Sequence, residues 1–237
     1  MSGVLPKSVL FDLDDTIIHH ENPSVTWRRI AERYGPLAGV SDSGAFFDAI
    51  EERRAWYWGD RERHRIGRLN PVRATRDTVN YVLRAFRAES NSFAAEITDA
   101  YMEQRKNAER LSPGARETVE RLRTEGVKVA LITNGGAVSQ RDKIGRHGLE
   151  PLFDAIVIEG EVGLGKPDPR VYQFALDKIG SAPRDAWIVG NDLQWEVAAP
   201  QRLGFYTVWV DLEGKGLPEN PPAQPDRIVV TLPELFG

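Results

Sequence analysis

Two aspartates one residue apart, Asp12 and Asp14, follow the apolar run Val9-Leu10-Phe11. A short run of this kind reads as a buried parallel strand. A strand that ends in carboxylates delivers them to the sheet edge where open α/β folds place their ligands. Side by side, the two carboxylates repel each other and resist dehydration, so a divalent cation is the expected third party. Three further polar stations follow along the chain: Thr133-Asn134, Lys166 within Gly165-Lys166-Pro167-Asp168-Pro169, and Asn191-Asp192 after Gly190. Two carboxylates, a hydroxyl, an ammonium and a further carboxylate form the toolkit for phosphoryl transfer through an aspartyl-phosphate. Each station also has a simpler reading when taken singly. Asp14-Asp15-Thr16 suits a turn or helix cap, Thr133-Asn134-Gly135 a turn, Lys166-Pro167-Asp168-Pro169 a rigid loop and helix start, and Asn191-Asp192 a cap.

The elements that must position these residues alternate in the second half of the chain. Val127–Thr133, Ala155–Ile158, Trp187–Gly190 and Tyr206–Val210 read as buried strands, and Ile228–Val230 as an added edge strand. Helices are predicted over Ala115–Glu125, from Asn134-Gly135-Gly136 to His147, over Pro169–Ile179 and over Glu196–Leu203, where Pro200 predicts a kink. Strands alternating with helices mean a parallel sheet with right-handed crossovers, so the polar strand ends gather on one edge. The block after Thr16 differs. Apolar stripes over Ser24–Tyr34, Ala45–Trp58, Pro71–Phe86 and Phe93–Ala108 read as helices, the first capped by serine, with no alternating strand pattern among them.

Phe11-Asp12-Leu13-Asp14-Asp15-Thr16, Ile132-Thr133-Asn134-Gly135, Gly165-Lys166-Pro167-Asp168-Pro169 and Val189-Gly190-Asn191-Asp192 resemble the four motifs of the haloacid dehalogenase superfamily. The helical block between the first two motifs resembles that superfamily's type C1 cap. The resemblance implies a Rossmann-like α/β core at 1–16 and 108–237, its parallel sheet lying between helices, and an all-helical cap at 17–107 inserted after the first strand. It implies a Mg2+-dependent phosphatase acting on a small-molecule phosphate ester. Asp12 would be the nucleophile, and Asp14 the acid that protonates the leaving oxygen and then the base that activates water. Thr133, Asn134 and Lys166 would bind the phosphoryl group, with Lys166 balancing the charge of Asp12. Mg2+ would be held by a carboxylate oxygen of Asp12, the backbone carbonyl of Asp14 and the fourth motif. Asp12 must stay ionised, and a nearby cation favours that. Asp14 must hold a proton, and the charge of Asp12 beside it pushes in that direction.

The fourth motif departs from the family pattern of Gly-Asp with a second Asp five residues on, since Asn191 and Glu196 occupy those positions. Either Asp192 takes the ligand role or Asn191 coordinates through its amide oxygen. The name-giving dehalogenation is disfavoured because Asp14 is present and halide needs no protonation. A phosphomutase, or a binding protein with a degenerate metal site, are the alternatives.

Composition bounds the remaining possibilities. The 237 residues contain no cysteine, so disulfides and thiol chemistry are excluded. A net charge of −4 argues against nucleic acid as a partner. No apolar run reaches transmembrane length, and a cytoplasmic protein is the default expectation. Residues 53–76 hold eight arginines interleaved with Trp56, Tyr57, Trp58 and His64. They suit either solvated helix faces or a surface that attracts an anionic substrate. Oligomeric state cannot be read from the sequence.

Overall fold

The chain opens with β1 (Ser8–Phe11), a strand buried on both faces. Side chains alternate along a strand, so Val9 and Phe11 enter one layer of the core while Leu10 enters the other. The computed structural model describes residues 5–88 and 90–237. After β1 come β2 (Ile18–His19) and five helices: α1 (Pro23–Tyr34), α2 (Ser43–Trp58), α3 (Arg61–Leu69), α4 (Pro71–Ala85) and α5 (Asn91–Ala108). Strand β3 (Arg110–Leu111) then pairs antiparallel with β2. The alternating half follows: α6 (Ala115–Thr124), β4 (Lys128–Thr133), α7 (Ala137–Arg146), β5 (Ala155–Ile158), α8 (Glu159–Val162), α9 (Pro169–Ile179) and β6 (Ala186–Gly190). A short α10 (Ala199–Gln201), β7 (Tyr206–Val210) and the edge strand β8 (Arg227–Val229) complete it.

Six strands form one parallel sheet in the order β5-β4-β1-β6-β7-β8. The chain runs outward from β1 through β4 to β5, then returns to the far side of β1 for β6. Strand order therefore reverses at β1, and the crevice at the carboxyl ends of such strands is where open α/β sheets hold ligands. Register fixes what reaches that edge. Phe11 lies opposite both Leu131 and Val189, so Asp12, Thr133 and the Gly190-Asn191 pair surface together. On one face Val9, Phe11, Val129 and Leu131 cluster with Val119, Leu122 and Ile144. On the other, Leu10, Ala130, Ile132 and Val157 cluster with Val171, Tyr172, Ala175 and Leu176 of α9.

The chain divides into two compact units, one formed by residues up to His19 and from Arg110 to Gly237, the other by His20–Glu109. The division falls after His19 and after Glu109 rather than after Thr16 and Asn107, because the β2–β3 ladder and the Ser112 N–H bond to the Ile17 carbonyl tie those flanking residues into the sheet unit. The helical unit has its own core of Trp27, Ile30, Tyr34, Phe46, Ile50, Val79, Val82, Leu83 and Ile97, with Trp27 stacked on Tyr101 at 3.9 Å between ring centroids.

Several element limits differ from the pattern reading, for local reasons. Helix α1 starts at Pro23 under an Asn22 cap, not after Ser24. Asp42, Asp60, Asn70 and Ser90 likewise cap α2 to α5 through side-chain acceptors. Helix α3 is an extra element within the arginine-rich stretch, whose polar composition hides any apolar stripe. The helix expected over Glu196–Leu203 is a wide-turn π segment, Leu193–Ala198, that gives way to α10. Pro200 lies where the π segment passes into α10, the backbone staying helical through Ala198 and Ala199.

Candidate active site

Asp12 is the first residue beyond β1, and its backbone N–H donates to the Val189 carbonyl at 2.9 Å, holding it between β1 and β6. The chain then turns tightly, with the N–H groups of Ile17 and Ile18 both donating to the Leu13 carbonyl. Asp15 takes the left-handed conformation at φ 56°, which aspartate tolerates better than most residues. That turn presents Asp14 beside Asp12.

Lys166 is placed by Asn134. The Asn134 side chain accepts from the Lys166 backbone N–H at 2.7 Å and donates to the Lys166 carbonyl at 2.8 Å. The loop between α8 and α9 is thereby fastened to the loop after β4. Lys166, only 1% exposed, then donates from Nζ to Asp12 Oδ1 at 2.5 Å and lies 2.7 Å from Glu196 Oε1. Glu196, also 1% exposed, accepts from the Asp192 N–H at Oε2, while its Oε1 faces the Lys166 ammonium. Gly190 makes room for this. A Cβ there would lie 2.1 Å from Glu196 Cγ.

The electrostatics follow from burial. Burial raises the Asp12 carboxyl above its ordinary value; Lys166 opposes that, and the Asp14 charge adds to it. Glu196 is pushed up to about 8 by burial, against the pull of Lys166 and with the charges of Asp12 and Asp192 reinforcing the rise. Burial works against the Lys166 ammonium, but the two facing carboxylates outweigh it and hold Lys166 above the usual lysine range.

Thr133 closes β4, and the first turn of α7 lies just beyond it. Two residues on α7 that the motif reading passed over complete this side of the site. Gln140 Nε2 donates to Thr133 Oγ1 at 2.5 Å and to Asp14 Oδ2 at 2.8 Å, and the Asn134 carbonyl is 3.0 Å away. Lys143 Nζ lies 2.6 Å from Asp14 Oδ1. The sequence reading weighs only Asp12 against Asp14; the structure adds a cation. The available signal was Gln140-x-x-Lys143, two long polar side chains on one face of the helix that follows the second motif.

In the fourth motif, Asp192 Oδ1 accepts the N–H groups of Gln194 and Trp195, each at 2.8 Å, and so caps the π segment. The Asn191 carbonyl accepts from the Trp209 indole at 2.8 Å. Four carboxylates, Asp12, Asp14, Asp192 and Glu196, stand against the two ammonium groups of Lys143 and Lys166. With Asp12 and Glu196 both raised despite Lys166, the site has room for further positive charge. Its donors are all oxygen. Among the described residues no group of three or more His, Asp or Glu side chains is arranged as a metal cage. One or two carboxylates with carbonyl oxygens and retained water is the habit of Mg2+, so the residues present fit that ion.

The arginines of the 53–76 stretch largely have partners inside the helical unit. Arg53 and Arg63 both stack on Trp56, and Arg54 and Arg65 pair with Glu51 and Glu62. Those contacts give Arg53, Arg54, Arg63 and Arg65 partners within the helical unit.

A doubly wound parallel sheet with a buried lysine–carboxylate cluster at its switch point, and a helical unit inserted after the first strand, place the chain among Rossmann-like α/β proteins. Residues 6–204 match the haloacid dehalogenase-like hydrolase family, and the chain belongs to that family. It is 33% identical to a phosphoserine phosphatase of Thermus thermophilus over 97% of this chain and 98% of that one. It is 27% identical to a glyceraldehyde 3-phosphate phosphatase of Pyrococcus furiosus, covering 97% and 91% of the two chains. Among solved structures, the HAD-hydrolase YfnB of Bacillus subtilis, bound to magnesium, superimposes with a TM-score of 0.71 at 20% identity, over 98% of this chain and 97% of that one. This last likeness is one of fold. Among the described residues no helix is long and apolar enough to cross a membrane.

Proposed function

We propose that this chain is a Mg2+-dependent phosphomonoesterase that hydrolyses a small phosphorylated metabolite through an aspartyl-phosphate on Asp12. The observation that carries the reading is the pairing of buried Asp12 with Lys166 at 2.5 Å, with a second carboxylate two residues on. In this reading an Asp12 oxygen attacks phosphorus, and Lys166 keeps that carboxylate anionic and offsets charge on the phosphoryl oxygens. Thr133 Oγ1 and the Asn134 loop bind the phosphoryl group. Asp14 protonates the departing oxygen, then takes a proton from water as that water cleaves the aspartyl-phosphate. The residues that would hold Mg2+ are Asp12 through its carboxylate, Asp14 through its backbone carbonyl, and the fourth motif. Because Asp192 Oδ1 is already committed to two backbone donors, the Asn191 amide oxygen is the preferred ligand there, with Asp192 supporting it. When bound, the ion supplies positive charge opposite the transferring group.

Asp14 also argues against dehalogenation, since a departing halide needs no proton and an alkoxide does. The names of the relatives favour small phosphomonoesters such as phosphoserine and glyceraldehyde 3-phosphate. The test is phosphate release from a panel of such esters, with Mg2+ and with chelator, for wild type and Asp12→Asn. Release that requires Mg2+ and falls to background in Asp12→Asn is the expected result. A rearranged phosphate ester in place of free phosphate would instead mark a phosphomutase. Ligand binding without turnover at any Mg2+ concentration would mark a binding protein.

A further inference from the structure

We propose that Gln140 and Lys143 are positioning residues that aim the Asp14 carboxylate for proton transfer and tie it to the Thr133 hydroxyl; this rests on the phosphomonoesterase reading above. The two residues are three apart on α7 and so share a helix face. Each supplies a donor to a different Asp14 oxygen, Lys143 Nζ to Oδ1 at 2.6 Å and Gln140 Nε2 to Oδ2 at 2.8 Å. Both bonds are made by the ionised carboxylate, so carrying a proton in the first half releases one of them, and rotation of the carboxylate would break one or the other. Gln140 is only 2% exposed, so its two amide protons need acceptors inside the protein, and Asp14, Thr133 and the Asn134 carbonyl all lie within reach of them. Asp14 stands on a turn, whereas α7 is anchored to the core through Ile144. The orientation of the turn's carboxylate is thus imposed by a helix, the more rigid support. The pair is partly open to solvent, with the Lys143 and Asp14 side chains 18% and 33% exposed.

The reaction makes its demand on Asp14 unequally. In the first half, a bond forms between an Asp12 oxygen and phosphorus while the phosphorus–oxygen bond to the leaving group breaks. The electron pair departs with that oxygen, which takes the Asp14 proton and leaves as an alcohol. In the second half, Asp14 takes a proton from water, the water oxygen bonds phosphorus, and the Asp12 oxygen–phosphorus bond breaks, returning its electron pair to Asp12. An alkyl leaving group needs the proton in the first half. A nitrophenolate is stable without it.

The experiment compares kcat/KM for the best alkyl phosphate of the panel with that for 4-nitrophenyl phosphate, in wild type, Lys143→Met, Lys143→Arg and Gln140→Leu. The parameter kcat/KM reports the steps through departure of the leaving group, so the two substrates separate there. Lys143→Met and Gln140→Leu should lower the alkyl-phosphate value by about 100-fold, as misplacing an acid–base group does. The loss on 4-nitrophenyl phosphate should be at least tenfold smaller, and Lys143→Arg should recover most of the alkyl-phosphate activity. Equal losses on both substrates, or no loss, would overturn the positioning role while leaving the phosphatase reading intact. A wild type that turns over neither substrate would overturn that reading and this one with it. Thermal unfolding checks each fold; should Lys143→Met not fold, Gln140→Leu decides on the same ratio.

Discussion

Lys166 serves two buried carboxylates at once, and a single substitution there exposes both interactions. Lys166→Met fills the same space but leaves Asp12 and Glu196 facing each other without a cation. Removing one partner of a buried ion pair costs about 3–5 kcal/mol, because the remaining charge is neither solvated nor matched. We expect Lys166→Met to lose stability in that range by urea unfolding and to release phosphate only at background. The double variant Lys166→Met, Glu196→Met removes one of the two carboxyl groups left without a partner. It should regain part of the stability and none of the turnover, which separates the structural work of the lysine from its proposed chemical work. Glu196 was legible in the sequence only as a departure from a family pattern. That its longer side chain reaches back to both Lys166 and the Asp192 N–H depends on the fold, since Lys166 lies on a different loop.

At the scale of elements, the end of β6 and the π segment form one unit because Gly190 lets Glu196 pack directly over the strand end. A methyl group at 190 would sit 2.1 Å from Glu196 Cγ and 2.7 Å from its Cδ. Gly190→Ala must therefore displace Glu196, at a cost of about 1–3 kcal/mol for overpacking. Equilibrium unfolding should register that loss, and phosphate release should fall with it, since Glu196 and Lys166 shift together. A variant as stable and active as wild type would show that Glu196 is not held by this contact. Most strands and helices were readable in the chain. A parallel strand buried on both faces must be a short apolar run, and Val129 to Ile132 is one. Helix α3 and the small β2–β3 ladder were not readable. The first has too few apolar residues for a stripe, and the second pairs residues from opposite ends of the helical block.

At the scale of the whole molecule, each unit buries a core of its own, and the chain passes between them only after His19 and after Glu109. Within the helical unit, His20 Nδ1 lies 3.8 Å from Glu109 Oε1, so its first and last residues are brought together. A segment of that length with a continuous apolar cluster and capped helices is large enough to fold alone. Residues 20–109 expressed by themselves should show a helical circular-dichroism spectrum and one cooperative thermal transition. A gradual, non-cooperative loss of helix would mean that this core needs the rest of the chain.

The sequence by itself determined the class of fold, the helical insertion and the order of the polar stations Asp12, Asp14, Thr133, Lys166 and Asn191-Asp192. It could do so because strand burial and helix caps are local demands written in short stretches of residue type. Only the tertiary structure decided what those stations touch. Asp14 meets Gln140 across 126 positions and Lys143 across 129, and Lys166 meets Asp12 across 154. Such partners are chosen by strand order and register, which place β4 and β6 on either side of β1 and so bring distant strand ends to one edge.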